Sequence, residues 1–96
     1  MSDLVTLPEA KEYIRVLHDD EDQLIAALVG AASETIREAA DRWVETGETP
    51  VRLRLATLML VAEWYDLRGA SSDGKPVTPL PHGVSWLIAP FRRLEA

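Results

Sequence analysis

The chain has 96 residues and carries 16 acidic side chains against 10 lysines and arginines, which gives a formal net charge of −6. This length suits one domain rather than two, so residues 1–96 are predicted to form a single domain. An acidic surface repels the phosphate backbone and argues against general affinity for nucleic acid, while the lack of cysteine excludes a disulfide framework and a thiolate zinc site.

The first predicted helix begins at a capping box, Thr6-Leu7-Pro8-Glu9, in which the threonine caps forward and the glutamate reaches back. Proline fits this first turn, because its missing N–H would have no helical partner there. The helix is predicted to run to about Leu17, with an apolar face made by Ala10, Tyr13, Ile14 and Leu17. The residues before it contain no apolar run, so no signal peptide is predicted.

An acidic junction follows, His18-Asp19-Asp20-Glu21-Asp22. Carboxylates suit calcium or magnesium, but a calcium loop of the EF-hand type wants glycine at its sixth position, and counting from Asp19 or Asp20 gives leucine or isoleucine. We therefore interpret the junction as a helix N-terminus, where negative charges meet the positive end of the helix dipole. Asp20 with Gln23 is a plausible capping pair. No metal site is expected.

The second helix is predicted to be long, from about Glu21 to Glu45, and to end at Gly47. Its apolar residues step alternately by four and three positions, as one face of a helix requires. This pattern can indicate a coiled coil or a groove for another helix, and the groove is favoured because alanines allow close approach. The stripe consists of Ile25, Val29, Ala32, Ile36, Ala39 and Trp43.

The central feature of the sequence is a third, strongly apolar helix from about residue 50 to residue 68. Thr49 is its predicted N-cap, Pro50 its first residue and Gly69 its stop signal. A helix that is apolar on nearly all sides is normally buried on nearly all sides, and charged residues near both ends make a membrane span improbable. The predicted core combines this helix with the second one: Ile25, Val29, Ala32, Ile36, Ala56, Leu60 and Trp64.

A long loop rich in glycine and proline is predicted from Gly69 to Gly83, before a short C-terminal helix. That helix has an apolar face, and Pro90 is expected to bend or stop it. A basic tail follows, which is either a last turn whose arginines suit a helix C-terminus or a docking segment for an acidic partner. The hypothetical partner-binding residues are Lys75, Phe91, Arg92, Arg93 and Leu94.

The sequence shows no arrangement typical of catalysis. Its histidines, His18 and His82, lie far apart in the chain and have neither cysteine nor histidine partners at ligand spacing, so no enzyme activity and no cofactor are expected. Glu63 is the acid nearest the apolar run and is expected to pair with Arg52, Arg54 or Arg68. The three tryptophans each lie on an apolar stripe, so packing in the core is predicted for Trp43, Trp64 and Trp86.

The order of motifs along nearly the whole chain resembles the head–tail connector (adaptor) proteins of long-tailed bacteriophages, also labelled DNA-packaging proteins. The resemblance rests on the capped Leu-Pro-Glu-Ala-Lys start, the acidic junction, and three later motifs. The later motifs are Trp64-Tyr65-Asp66-Leu67-Arg68, Leu80-Pro81-His82-Gly83-Val84 and Pro90-Phe91-Arg92. The family often has tyrosine where Phe91 stands and glutamate where Gly69 stands, so the end of the central helix can differ here.

This resemblance implies an all-α fold, a small bundle of about four helices around the central buried one. It implies a structural protein of a phage or prophage, assembled in the bacterial cytoplasm and located at the virion neck. About a dozen copies would form a ring beneath the portal, extend the DNA channel without sequence-specific binding or membrane contact, and dock the next head-completion or tail-joining protein. The alternative is a generic bacterial helical module for protein interaction or regulation, without catalysis.

Overall fold

The computed structural model describes residues 3–67 and 80–92, and all regular structure in these two ranges is helical. The predicted all-α bundle is therefore confirmed. The helices pack around α3, whose largest interface is with α2 and whose next largest is with α4. The elements are α1 (Leu7–Ile14), α2 (Asp22–Ala39), α3 (Val51–Leu67) and α4 (His82–Ile88), followed by a 3-10 turn (Ala89–Phe91).

Helix α1 begins as its sequence predicts and ends earlier. The Thr6 hydroxyl accepts a hydrogen bond from the Glu9 N–H at 3.2 Å, and the Glu9 carboxylate accepts one from the Thr6 N–H at 2.8 Å. The helix then closes at Arg15, which adopts the left-handed conformation with φ 61° and ψ 43°. The predicted extension to Leu17 is wrong: the chain has already turned away, and the Leu17 side chain is 96% exposed.

Helix α2 is shorter than predicted at its C-terminal end. It stops at Ala39 rather than near Glu45, and Gly47, with φ 80°, lies in the connection to α3 instead of closing α2. The physical reason is a contact distant in sequence: the Arg42 N–H, which a longer helix would direct at its own fourth preceding carbonyl, donates instead to the Phe91 carbonyl at 2.8 Å. Trp43 therefore leaves the helical stripe, although it still packs partly buried against the core.

The start of α2 also differs from the predicted capping pair. Glu21 occupies the N-cap position and makes no side-chain capping hydrogen bond, so the assignment of Asp20 with Gln23 is wrong. The Glu21 carboxylate instead accepts a hydrogen bond from the Tyr65 hydroxyl near the end of α3. This contact shows that α2 and α3 run antiparallel.

The core lies between α2 and α3. The structure buries all the predicted core residues except Trp64, which is only partly buried at its edge. The polar residue Ser33 of α2 is also buried, and its hydroxyl accepts a hydrogen bond from the Leu4 N–H at 2.9 Å, which ties the N-terminal segment to α2. Fully buried residues on α3 are Leu53, Ala56, Thr57, Leu60 and Val61.

Helix α3 is not covered on nearly all sides, contrary to the prediction. Its first turn exposes Val51 by 75%, and Leu55 one turn later is 38% exposed. The helix begins at Val51, one residue later than expected, and the Pro50 carbonyl accepts its first hydrogen bonds, from Leu53 and Arg54, each at 3.0 Å. The predicted stop signal at Gly69 lies outside the described residues.

Helix α4 packs antiparallel to α3, and Gly83 permits the close approach. A Cβ added at Gly83 would lie 2.9 Å from the methyl carbon of Met59. Val84 and Ile88 are fully buried against α3, and the helix ends at Ile88 as the chain passes into the 3-10 turn that contains Pro90. Residues 69–79 of the long loop predicted before α4, including Lys75, lie outside the described residues. The predicted end of the loop at Gly83 is wrong, because α4 already begins at His82.

No helix within residues 3–67 and 80–92 combines the length and the apolar character needed to cross a membrane.

Candidate docking surfaces

The predicted partner-binding tail is described as far as Arg92. Phe91 is partly buried, packs against the core and accepts the backbone hydrogen bond from Arg42, so its ring is an anchor within the fold rather than a free contact. Arg92 follows in an extended conformation and its side chain is exposed. Arg93 and Leu94 lie outside the described residues. The structure therefore describes Phe91 and Arg92, the first two of the four residues in the predicted tail.

Helix α4, which precedes this tail in the chain, carries an exposed tryptophan. Trp86 is 69% exposed, so the prediction that it packs in the core is wrong. Its ring lies over the Arg52 guanidinium, with 5.4 Å between the central guanidinium carbon and the ring centroid. Arg52 is held in place by two further hydrogen bonds: its Nε donates to the Leu87 carbonyl and its Nη2 to the Trp86 carbonyl, each at 2.9 Å.

The sequence contained a signal for this exposed tryptophan. Trp86 is two positions from Val84, which places it about 200° around a helix from the first residue of the buried face. The other apolar residues of α4, Leu87 and Ile88, fall back within that face. Tryptophan and arginine are the residue types most enriched at the centres of protein interfaces. The pair is therefore the strongest docking feature at this end of the molecule.

The acidic junction lies around a lysine from α1. Lys11 Nζ donates a hydrogen bond to Asp19 Oδ1 at 2.6 Å. It also forms an ion pair with Asp22 Oδ1 at 2.7 Å, without the alignment of a hydrogen bond. The hydrogen bond to Asp19, followed by the contact with Asp22, raises the pKa of Lys11, and the same hydrogen bond lowers the pKa of Asp19. The junction thus has an internal cation, and Asp19 and Asp20 keep most of their side-chain surface in solvent.

The remaining charged side chains near the core serve the fold. Arg54 on α3 pairs with Glu9 on α1, and Arg52 is committed to the carbonyls of α4, so the expected pairing of Glu63 with either arginine is wrong. The third candidate, Arg68, lies outside the described residues. Within the part of the chain that the structure describes, no group of three or more histidine, aspartate or glutamate side chains is placed to hold a metal ion.

Comparison with known protein families shows which family the chain belongs to. The model of the phage gp6-like head-tail connector proteins matches residues 4–92. The chain belongs to this head–tail connector family. The match runs from the segment before the capping box to the exposed arginine of the tail, and so spans every described element. Searches of curated proteins and of solved structures gave no match.

Membership establishes the broad role of the protein. Connectors of this family are structural proteins of the phage virion that join head and tail, which implies a location at the virion neck and interaction with other head or tail proteins. A structural protein of this kind acts through the surfaces that contact its partners. The connector presents two surfaces of contrasting character, the Arg52–Trp86 pair beside Arg92 and the acidic junction around Lys11.

Proposed function

We propose that the chain is the subunit of a homo-oligomeric connector ring beneath the portal of a tailed phage or prophage. Residues 1–96 act as a single helical connector domain with no catalytic role. The ring extends the DNA channel and provides the platform for the next head-completion or tail-joining protein. Assembly takes place in the cytoplasm of the bacterial host. The observation that carries this proposal is the match of the head–tail connector family over residues 4–92.

The charge of the chain supports a passive channel role. A subunit with a net charge of −6 repels the phosphate backbone, so a ring of such subunits lets DNA slide without sequence-specific binding. Conduits of this kind need walls that do not adhere to the passing polymer. The net charge therefore agrees with a channel element and disagrees with a nucleic-acid-binding module.

The C-terminal end supports docking to a larger partner. Phe91 and the Arg42 backbone fix where the tail leaves the core, and Arg92 extends from that point into solvent. A basic residue on a fixed base can meet an acidic surface of the portal or of a neighbouring subunit without distorting the helices. We extend the proposed surface to Arg93, Leu94 and Lys75, which are basic or apolar residues of the same chain.

The test is assembly on the portal protein of the same phage or prophage. The purified connector is mixed with portal rings, and native mass spectrometry counts the bound copies, with a closed ring of about a dozen expected. Arg92→Glu combined with Arg93→Glu should weaken portal association or ring formation, most visibly at low salt, where charge steering is least screened. Helicity measured by circular dichroism should not change, because exposed charges contribute little to stability.

A matched control is Arg92→Lys combined with Arg93→Lys, which changes the same two positions but keeps both positive charges. This control should bind the portal like the parent protein. If the connector binds no portal and forms no ring at any stoichiometry, the proposed function is wrong. If the tail variant binds normally and stays helical, the function stands and the tail is not part of the interface.

A further inference from the structure

One end of the connector carries an exposed apolar surface next to arginines. Val51 and Leu55 lie one turn apart on α3, 75% and 38% exposed, and between them Arg52 reaches under the 69% exposed Trp86. We use the name Trp86 face for the exposed residues Val51, Leu55 and Trp86, together with Arg92, which follows Trp86 six residues later in the chain, after the 3-10 turn. Two hydrogen bonds and a ring contact fix the arginine under the tryptophan, so the face is ordered before any partner arrives.

The other end carries an exposed leucine, an open groove and acids. Leu17 has 96% of its surface in solvent, in the connection between α1 and α2. It borders an open groove of about 510 Å³ between α1 and this connection. We call this surface the Leu17 groove. Its lining includes the apolar residues Leu7, Pro8, Val16 and Leu17, together with the Lys11–Asp19 ion pair.

The two surfaces lie at opposite ends of α3. The hydrogen bond between Tyr65 and Glu21 places the α1–α2 connection at the C-terminal end of α3. The contact of Arg52 with Trp86 places the Trp86 face at its N-terminal end. Thirteen residues separate Arg52 from Tyr65, which corresponds to about 20 Å at the rise of an α-helix. The two surfaces can therefore not meet within one copy, but one surface can meet the other on a second copy.

The charges of the two surfaces are complementary. The Trp86 face carries Arg92, exposed, and Arg52. The rim of the Leu17 groove carries Asp19 and Asp20, whose side chains are 86% and 91% exposed. Opposite charges around a buried apolar contact fix its register and exclude wrong pairings. Each end also has an internal ion pair, Glu45 with Arg37 at the Trp86 end and Asp19 with Lys11 at the groove.

We propose that the Trp86 face of one copy docks into the Leu17 groove of the next copy, with Trp86 in the groove and Arg92 facing Asp19 and Asp20. Because the two surfaces differ, the contact is head-to-tail, and repetition of such a contact closes into a ring when the rotation between copies permits. This inference rests on the proposed ring and assigns the surfaces that join its subunits.

Site-directed cross-linking tests the contact in the full-length protein. The chain has no cysteine, so His18→Cys and Val51→Cys each introduce a single thiol, one beside each surface. The two variants are mixed and treated with a short bis-maleimide, and mass spectrometry counts the three possible pairs. A head-to-tail contact enriches the 18–51 pair above its statistical share. A statistical distribution, or an excess of 18–18 or 51–51 pairs, overturns the proposal.

Second-site changes show whether the named side chains make this contact. Trp86→Ala, placed in the Val51→Cys chain, should lower the yield of the 18–51 pair by roughly tenfold, the loss typical of removing a central interface tryptophan. Val44→Ala, which trims a 72% exposed valine outside the face, is the control and should leave the yield unchanged. Equal yields with Trp86→Ala and Val44→Ala would remove the tryptophan from the contact.

Ring assembly on the portal separates this inference from the proposed function. If rings form on the portal with parent protein and equally with Trp86→Ala, the function stands and these surfaces are not the ones that join the subunits. If no ring forms on the portal although the 18–51 pair is enriched, the contact stands and the portal-ring function fails. Enrichment of the 18–51 pair, together with loss of rings on the portal in Trp86→Ala, supports both the contact and the proposed function.

Discussion

Leu60 offers the sharpest test of the core, because a neighbouring leucine on the same helix provides its control. Leu60 is 1% exposed, whereas Leu55 is 38% exposed. Truncation of a buried leucine to alanine removes three carbon atoms, at about 0.8 kcal/mol each, or about 2.4 kcal/mol of transfer free energy. A residual cavity of roughly 40 Å³ adds about 1 kcal/mol. Leu60→Ala should therefore lower the free energy of unfolding by about 3–4 kcal/mol.

The control variant is Leu55→Ala, which makes the same chemical change and the same change of helix propensity. Its side chain already meets solvent and leaves no closed cavity, so the expected loss is about 1 kcal/mol. Urea unfolding followed by circular dichroism measures both, and equal slopes against denaturant show that the unfolded states are comparable. Equal losses in the two variants, or a loss below about 1 kcal/mol for Leu60→Ala, would refute the assignment of α3 as the central helix.

Three other substitutions address local features of the fold. Gly30→Ala should raise the free energy of unfolding by about 0.5–1 kcal/mol, since the added Cβ meets only Asp3 Oδ1 at 3.9 Å and alanine favours the helix; an unchanged urea midpoint would contradict this. Arg15→Gly should stabilise by up to about 1 kcal/mol by relieving the left-handed conformation, and Arg15→Ala, the control in urea unfolding, should not. Lys11→Met should lower the urea midpoint at pH 7 and have progressively less effect as the pH is lowered into the acid range: the ion pair lowers the pKa of Asp19, so its stabilisation is present at neutral pH and is lost as the pH falls through that lowered pKa. A pH-independent effect of Lys11→Met would show that only its packing matters.

Features that depend on neighbouring residues were predictable from the sequence. The capping box of Thr6 and Glu9 is formed within four residues, so no other part of the chain is needed to specify it. The stripe from Ile25 to Ile36 is similarly local, because the helical period alone places its members on one face. The number of helices and the central position of α3 follow from such local patterns and from the apolar content of residues 53–62.

The boundaries that sequence reasoning missed depend on contacts distant in the chain. The end of α2 is set when the Phe91 carbonyl takes the Arg42 N–H, a pairing across about half of the chain that no local signal announces. Gly47 is a strong stop signal by composition, but the helix has ended before it is reached. Arg15 shows the converse, since a residue that disfavours the left-handed conformation closes α1 where no glycine is available.

The candidate surfaces were only partly predictable for a related reason. Composition alone favours burial of a tryptophan, and only its angular position on α4 contradicts this for Trp86. The partner that holds it, Arg52, is more than thirty residues away in the chain, and its guanidinium was expected to pair with an acid. Exposure of the tail at Arg92 was predictable from charge, and packing of Phe91 was predictable from its place on the apolar face of the last helix. The hydrogen bond from the Arg42 N–H to the Phe91 carbonyl was not predictable, because it depends on the fold of the segment after α2.

The position of Arg52 connects the stability of the connector to its docking surface. Carbonyls in the last turn of a helix have few intrahelical partners, and Arg52 donates to two of them at the end of α4: that of Leu87, and that of Trp86, which also accepts from the Ala89 N–H. The same guanidinium supports the face of the exposed indole. A tryptophan held in this way has already lost much of its rotational freedom, so less conformational entropy is lost when it enters a groove on a partner. The contacts that hold α4 against α3 therefore also preorganise Trp86, the side chain that we propose as the anchor between subunits.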